Sequence, residues 1–317
     1  MKERIHIDPA EVVTCQDRIQ DFVHRTPVLT STLLNDYSGA ELYFKCENFQ
    51  KMGAFKIRGA TNAVLQLNAA QKHKGVLTHS SGNFAQALAL AARDQGIKAY
   101  IVMPENAPQV KVNAVRDYGA EIIMCHSDPS SRESMAEEVR VRTGATFIHP
   151  SDNKDVIIGQ GTAALELFQD YQDLDFLVVP VGGGGLIGGS ILAAQAIAPM
   201  CKVIGAEPFE ADDAFRSLAS GKIELNLSTN TIADGLRTYL GEHNFPIILA
   251  GVERIVRLKE GEIVSAMRLI WERMKIIVEP SSAICLAAVL SEKEQFAGKR
   301  VGILLSGGNV DLAKLPF

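Results

Sequence analysis

Five stretches of the chain carry groups that could do chemistry. Lys56 stands in Gly53-Ala-Phe-Lys-Ile-Arg-Gly59, flanked by Phe55 and Ile57. Apolar surroundings desolvate an ammonium, lower its pKa and leave an amine able to form a Schiff base. Taken alone, the same lysine also reads as one that snorkels to the surface. The run Phe176 to Val181 ends in Gly182, Gly183, Gly184 and Gly185 and passes into an apolar, alanine-rich segment to Ala198. Four successive glycines cost backbone entropy. A loop free of side chains, whose N–H groups reach an anion at a helix N-terminus, would offset that cost. Ser80-Ser-Gly-Asn-Phe-Ala-Gln86 follows another apolar run and opens a helix, with hydroxyls and an amide suited to a carboxylate or a cofactor oxygen. Ser306-Gly-Gly-Asn309 ends the last apolar run, where a serine could hydrogen-bond a ring nitrogen. Glu207-Pro-Phe-Glu-Ala-Asp-Asp213 places acids along a short loop, the donor type of a hard divalent cation or of a solvated acidic surface.

A Schiff-base lysine, a phosphate cup and a serine at a strand end together match pyridoxal phosphate: one part for the aldehyde, one for the phosphate, one for the pyridine nitrogen. Two other classes compete. Gly183, Gly185 and Gly188 also spell G-x-G-x-x-G with Glu207 about 20 residues on, the dinucleotide fingerprint of an NAD-dependent dehydrogenase. That reading has no use for Gly182, Lys56 or the Ser-Ser-Gly-Asn motif. A domain that merely binds the cofactor or an amino acid as a sensor has no need of Lys56 with Ser81.

The elements that must position these groups follow a repeating pattern. Residues 8–24 read as a helix with Asp8 as N-cap, and 41–46 as a strand. A second helix runs through Leu67. Strands near 76–79, 99–103, 121–125 and 145–148 alternate with helices near 83–95, 109–118 and 132–143. The glycine-bearing unit comes next, then a strand at 202–207, helices at 260–274 and 281–290 (the latter capped by Ser281) and a strand at 301–305. Such alternation predicts open parallel sheets in an α/β fold of two αβα domains. The expected division is 75–149 as a small substrate-side domain, inserted into a large cofactor-binding domain of 1–74 plus 150–317, with the ligand in the crevice between them.

Composition narrows the class. The chain has 317 residues, 47% hydrophobic and 22% charged, with a net charge of −5. Interspersed charges of that balance argue against nucleic acid as a partner. Five scattered cysteines without a C-x-x-C pair suggest neither zinc nor a disulfide framework and fit a reducing cytoplasm. The N-terminal segment lacks an apolar signal core. The run Ala85 to Ala92 is too short to span a bilayer, so no membrane role is expected. No regulatory extension is expected after Asn309.

The ordered motifs Phe55-Lys-Ile-Arg-Gly59, Ser80-Ser-Gly-Asn83, Gly182-Gly-Gly-Gly185, Thr231-Ile-Ala-Asp-Gly235, Trp271-Glu-Arg-Met-Lys275 with Glu279-Pro280, and Ser306-Gly-Gly-Asn309 resemble the fold-type II pyridoxal-phosphate enzymes of the serine/threonine dehydratase and serine racemase group. The tryptophan synthase β-like fold comes with that group. The resemblance implies that Lys56 holds the cofactor and acts as base on one face, with Phe55 stacking near the ring. It implies that Asn83 binds the ring hydroxyl, Gly182 to Gly185 the phosphate, and Ser306 the pyridine nitrogen. Ser80, Ser81 and Asn83 would grip the substrate carboxylate. Ser81 would be the acid/base of the opposite face in a racemase, and Arg132 a substrate-side arginine. Glu207, the Ala211 carbonyl and Asp213 would hold magnesium or calcium, and a homodimer is expected. Phe84 departs from the histidine usual in this group and opens the substrate to a bulkier or more apolar 3-hydroxy amino acid. The implied activity is dehydration and deamination of L-serine, L-threonine or a related 3-hydroxy amino acid. Serine racemisation through Lys56 and Ser81 is the alternative.

Overall fold

The computed structural model describes residues 6–107 and 109–317. Most of the N-terminal segment inspected above for a signal core therefore lies outside the described residues. Among the described residues, ten strands form two sheets: β1 (Val28–Leu29), β2 (Glu41–Cys46), β3 (Val76–His79), β4 (Ala99–Pro104), β5 (Glu121–Cys125), β6 (Thr146–Phe147), β7 (Phe176–Pro180), β8 (Lys202–Pro208), β9 (Val252–Leu258) and β10 (Arg300–Leu305). One sheet has the order β1-β2-β10-β7-β8-β9 and the other β5-β4-β3-β6. All pairs are parallel except β1 with β2. Parallel strands covered on both faces read as continuous apolar runs, and the sequence shows this at Val178, Val179 and Val181 and at Ile303 and Leu304, all buried.

The α/β class and the parallel sheets agree with the sequence reading. Asp8 Oδ1 accepts the Ala10 N–H at 2.9 Å, as a cap should, though the helix stops at Ile19 rather than near residue 24. The helix 280–291 differs from expectation. Glu279 stands at its N-cap with no side-chain bond, and Ser281 Oγ instead accepts the Gly235 N–H at 3.1 Å. The helix 260–274 is α-helical only to Leu269 and continues as a π-turn, Ile270–Met274, ending at left-handed Lys275.

The sequence pattern did not assign the helix Lys154–Asp170. Thirteen of its residues, Val156 to Phe168, are buried in an unbroken row, so it has no polar face to betray a helical period. It passes between the helix Lys56–Leu65 and the helix Gly185–Ile197. Gly59 and Gly159 meet there, as do Gly161 and Gly189, so closely that a Cβ on Gly159 would sit 2.6 Å from the Gly59 Cα. The glycines let three helices approach backbone to backbone.

Behind Lys56 this junction holds four buried charges. Arg58 Nε bonds Glu47 Oε2 and Nη1 bonds Glu166 Oε1, each at 2.7 Å. Lys45 Nζ reaches Glu166 Oε2 at 2.6 Å and the Thr26 carbonyl at 2.7 Å. Two positive and two negative groups balance, so no charge is buried unpaired.

Candidate active site

Lys56 opens the helix Lys56–Leu65, directly after Phe55. The Phe55 N–H donates to the Ser306 carbonyl at 3.0 Å, and the Gly308 N–H donates to the Gly53 carbonyl at 2.9 Å. The two motifs at opposite ends of the sequence thus pair as a short antiparallel bridge, Ala54 with Gly307. Lys56 Nζ donates to the Pro150 carbonyl at 3.0 Å. It lies 5.0 Å from the centroid of the Phe55 ring and 5.8 Å from that of Phe84. Burial lowers its pKa to about 8, against the pull of the Glu279 carboxylate. The desolvated amine expected from Phe55 and Ile57 is present, with Phe84 adding to the apolar wall.

The glycine loop lies on the neighbouring residue of the same turn. Side chains at its four positions would collide with protein: at Gly183 with Ser151 Oγ, at Gly185 with the Ser151 carbonyl, at Gly182 with the Gly235 carbonyl and at Gly184 with Asn244. Gly184 also has a φ of +88°, a left-handed conformation suited to glycine. Among the described residues, no hydrogen bond uses the N–H of Gly182, Gly183 or Gly184. Gly184 caps the helix Gly185–Ile197. Unpaired N–H groups at the positive end of a helix dipole are a fitting receptor for a phosphate.

The remaining motifs converge on one buried carboxylate. Asn83 Nδ2 donates to Glu279 Oε1 at 3.1 Å and lies 3.3 Å from Oε2. Asn83 Oδ1 accepts from Asn309 Nδ2 at 2.9 Å. Asn309 Nδ2 also reaches the Met52 carbonyl at 2.9 Å. Burial and the charge of Asp234 raise the Glu279 pKa to about 7, against the Asn83 bond. Ser306 is buried, and its hydroxyl lies 3.1 Å from that of Ser282. Ser80 and Ser81 stand part-buried between β3 and the helix Asn83–Asp94. Ser80 Oγ accepts the Gly82 N–H at 3.3 Å, while the Ser81 hydroxyl bonds none of the described residues. Arg132 lies near His79 at the end of β3, where burial first, and then the Arg132 charge, lower the imidazole pKa. Its Nε is buried without a partner among the described residues.

The acidic loop is a separate place. Glu207 accepts the Ala214 and Phe215 N–H groups, each at 2.9 Å. Asp213 Oδ2 accepts the Leu240 N–H at 2.9 Å, and its Oδ1 is buried with no partner among the described residues. Burial raises both carboxyl pKa values, and the Asp213 charge raises that of Glu207 further. Ala211 is buried beside them. Glu207, the acid that the dinucleotide alternative would set at a ribose, here accepts two N–H groups from the first turn of the helix Asp213–Ser220.

The profile described as "Pyridoxal-phosphate dependent enzyme" matches residues 19–307. The chain belongs to that family. It is 48% identical to a serine racemase of Dictyostelium discoideum, with 98% of each chain covered. It is also 48% identical to a beta-hydroxyaspartate dehydratase of Paracoccus denitrificans, covering 97% of this chain and 98% of that one. Among solved structures, a maize serine racemase superposes with a TM-score of 0.95 at 47% identity, covering 98% of this chain and 95% of that one. The fold-type II architecture and the enzyme class expected from the motifs therefore stand.

Pro150, Ser151, Asn244 and the partners of Arg58 were absent from the sequence reading. Glu279 has one local signal in the sequence, an acid directly before a proline that can open a helix.

Proposed function

We propose that this enzyme removes the hydroxyl and amino groups of a 3-hydroxy amino acid of the L-serine or L-threonine type, giving a 2-oxo acid and ammonia. The observation that carries this reading is the Pro150–Ser151 turn. Pro150 takes the Lys56 ammonium, and Ser151 packs on Gly183 and Gly185. Adjacent residues of one turn thereby bring the Lys56 amine and the glycine loop together. When bound, pyridoxal phosphate supplies an aldehyde for Lys56 and a ring that accepts electrons from the amino-acid Cα.

The chain's own groups divide the rest. Gly182 to Gly185 would hold the phosphate through backbone N–H groups. Phe55 would flank the ring, Ser306 would serve its nitrogen, and Asn83, held by Glu279 and Asn309, would serve its hydroxyl. Ser306 would offer the nitrogen a neutral hydroxyl rather than a carboxylate. Ser80, Ser81 and Asn83 bind the substrate carboxylate. Lys56, with its pKa lowered to about 8, is suited to move the α-proton near neutral pH. The unpartnered Arg132 Nε supports an anionic group on the substrate. The hydroxyaspartate named in two relatives, from Paracoccus denitrificans and Saccharomyces cerevisiae, has such a group. The unbonded Ser81 hydroxyl favours a second outcome, proton return from the other face, hence racemisation.

The same reading includes a divalent cation at Glu207, the Ala211 carbonyl and Asp213, supported by two neighbouring buried carboxyl groups whose pKa values burial raises and by the orphaned Asp213 Oδ1. It includes a small domain of 75–149 against 1–74 plus 150–317, supported by the separate sheet of β3 to β6. A homodimer in the cytoplasm completes it by family resemblance.

The test has two parts. Borohydride reduction of the yellow protein should leave the cofactor on Lys56. L-serine, L-threonine and 3-hydroxyaspartate should then be assayed for ammonia, 2-oxo acid and enantiomer. No adduct at Lys56, or no product from any of the three, overturns the proposal.

A further inference from the structure

The turn that holds Lys56 and the loop read as the phosphate receptor come from distant parts of the chain, and one side chain ties them. Asn244 is fully buried at the start of the helix Asn244–Gly251. Its Nδ2 donates to the Ser151 carbonyl and to the Gly183 carbonyl, each at 2.9 Å, and lies 3.2 Å from Asp152 Oδ1. Asp152 replies through the same oxygen, accepting the His243 N–H at 2.9 Å and the Asn244 N–H at 3.1 Å. The turn is held from its other side by His149, whose Nδ1 accepts the Ser151 and Asp152 N–H groups at 3.2 and 2.8 Å.

This arrangement is more than filling. Three acceptors surround Nδ2, so turning the amide over would set oxygen against oxygen at all three. Asn244 Oδ1 is meanwhile buried with no partner, a cost that a residue serving only packing need not carry. An apolar side chain would remove that one orphaned oxygen but strip the Ser151 and Gly183 carbonyls of their donor, and could not register the two backbones.

We propose that Asn244 is a positioning residue for the cofactor: it fixes the separation between the Lys56 mount at Pro150–Ser151 and the phosphate loop at Gly183. The inference rests on the reading of Lys56 and Gly182 to Gly185 given above. A ligand engaged at both ends gains from a fixed separation, because the second contact forms within an already bound molecule. A ligand engaged at one end gains nothing from it. Pyridoxal, which has the aldehyde and lacks the phosphate, is the one-ended probe.

The experiment compares equilibrium binding of pyridoxal phosphate and of pyridoxal to cofactor-free wild type, Asn244→Ala and Asn244→Ser, with the melting midpoint of each cofactor-free protein. Asn244→Ala should weaken pyridoxal phosphate about tenfold, the loss of one or two hydrogen bonds' worth of registration, and leave pyridoxal nearly unchanged. Asn244→Ser, which keeps one short donor, should fall between, and it carries the test if the alanine variant does not fold. Equal weakening of both ligands, or no weakening of pyridoxal phosphate in a folded variant, overturns the inference. Wild type that binds pyridoxal as tightly as pyridoxal phosphate refutes the phosphate-loop reading itself, a result distinct from either.

Discussion

Asn83 Nδ2 lies 3.1 Å from Glu279 Oε1, so the amide expected to meet the cofactor is oriented by a buried acid from the far end of the chain. Burial and Asp234 lift that acid to a pKa of about 7. An unfolded glutamate titrates near 4.3, so the native state binds the extra proton between about 4.3 and about 7. Stability contributed by this group is therefore full below that window and falls as pH rises through it. Glu279→Gln should remove this fall. Urea melts of the cofactor-free protein across pH 4 to 8 check it. Wild type should lose on the order of 3 kcal/mol over the window that the variant keeps. Parallel pH profiles for the two proteins would show that the carboxyl titrates normally.

Arg58 stands two residues after Lys56 and forks between Glu47 and Glu166 with both partners buried. Removing one member of such a cluster leaves charge uncompensated in the interior, at a cost of about 3–5 kcal/mol. Arg58→Ala should lower the free energy of unfolding by that amount, read from denaturant melts. Arg58→Lys should recover only part, since an ammonium cannot reproduce the planar fork. A change below about 1 kcal/mol in Arg58→Ala would mean that the surrounding acids take up protons freely.

The groups with unusual local chemistry were legible in the sequence. Lys56 between apolar residues, the four glycines at a strand end and the Ser306-Gly-Gly-Asn309 turn each advertise themselves within a few residues. What could not be read acts through backbone or over distance. Pro150 contributes only a carbonyl, which every residue has. Asn244 is an ordinary helix-start asparagine until Gly183 and Ser151 are folded beside it. Ser281 resembled a cap because serine caps helices well, but its hydroxyl accepts the Gly235 N–H, and the helix begins at Pro280 instead. The strand β9 lies at the edge of its sheet and carries Glu253, Arg254 and Arg257, which interrupt the apolar run that marked the other parallel strands.

Asp213 Oδ1 is buried and unpaired beside Glu207. A divalent cation there would neutralise both acids, and a ligand bound only by the native state stabilises it by about 2.7 kcal/mol at a hundred times its dissociation constant. Calcium or magnesium should raise the melting midpoint of protein stripped with a chelator. Asp213→Asn should abolish the response while the protein still folds. A melting curve indifferent to both ions would remove the cation from the proposal.

In the proposed reading Ser81 decides between the two outcomes. Its hydroxyl bonds none of the described residues, while Ser80 Oγ accepts the Gly82 N–H; the assignment of the opposite-face proton to Ser81 comes from the family resemblance. In that reading elimination needs the α-proton removed by Lys56 and the β-hydroxyl expelled, neither of which calls on a second base. Racemisation needs a proton delivered from the opposite face. Ser81→Ala should therefore suppress formation of D-serine from L-serine by two to four orders of magnitude, the usual worth of a general acid. Ammonia release from L-serine should persist within about tenfold of wild type, the penalty for one lost contact to the carboxylate. The separation also works in the other direction, since D-serine presents its α-proton to the Ser81 side, and its elimination should fall with racemisation. If both activities drop together, Ser81 serves to bind the carboxylate alone. If D-serine still forms at the wild-type rate, the second proton comes from water or from another residue.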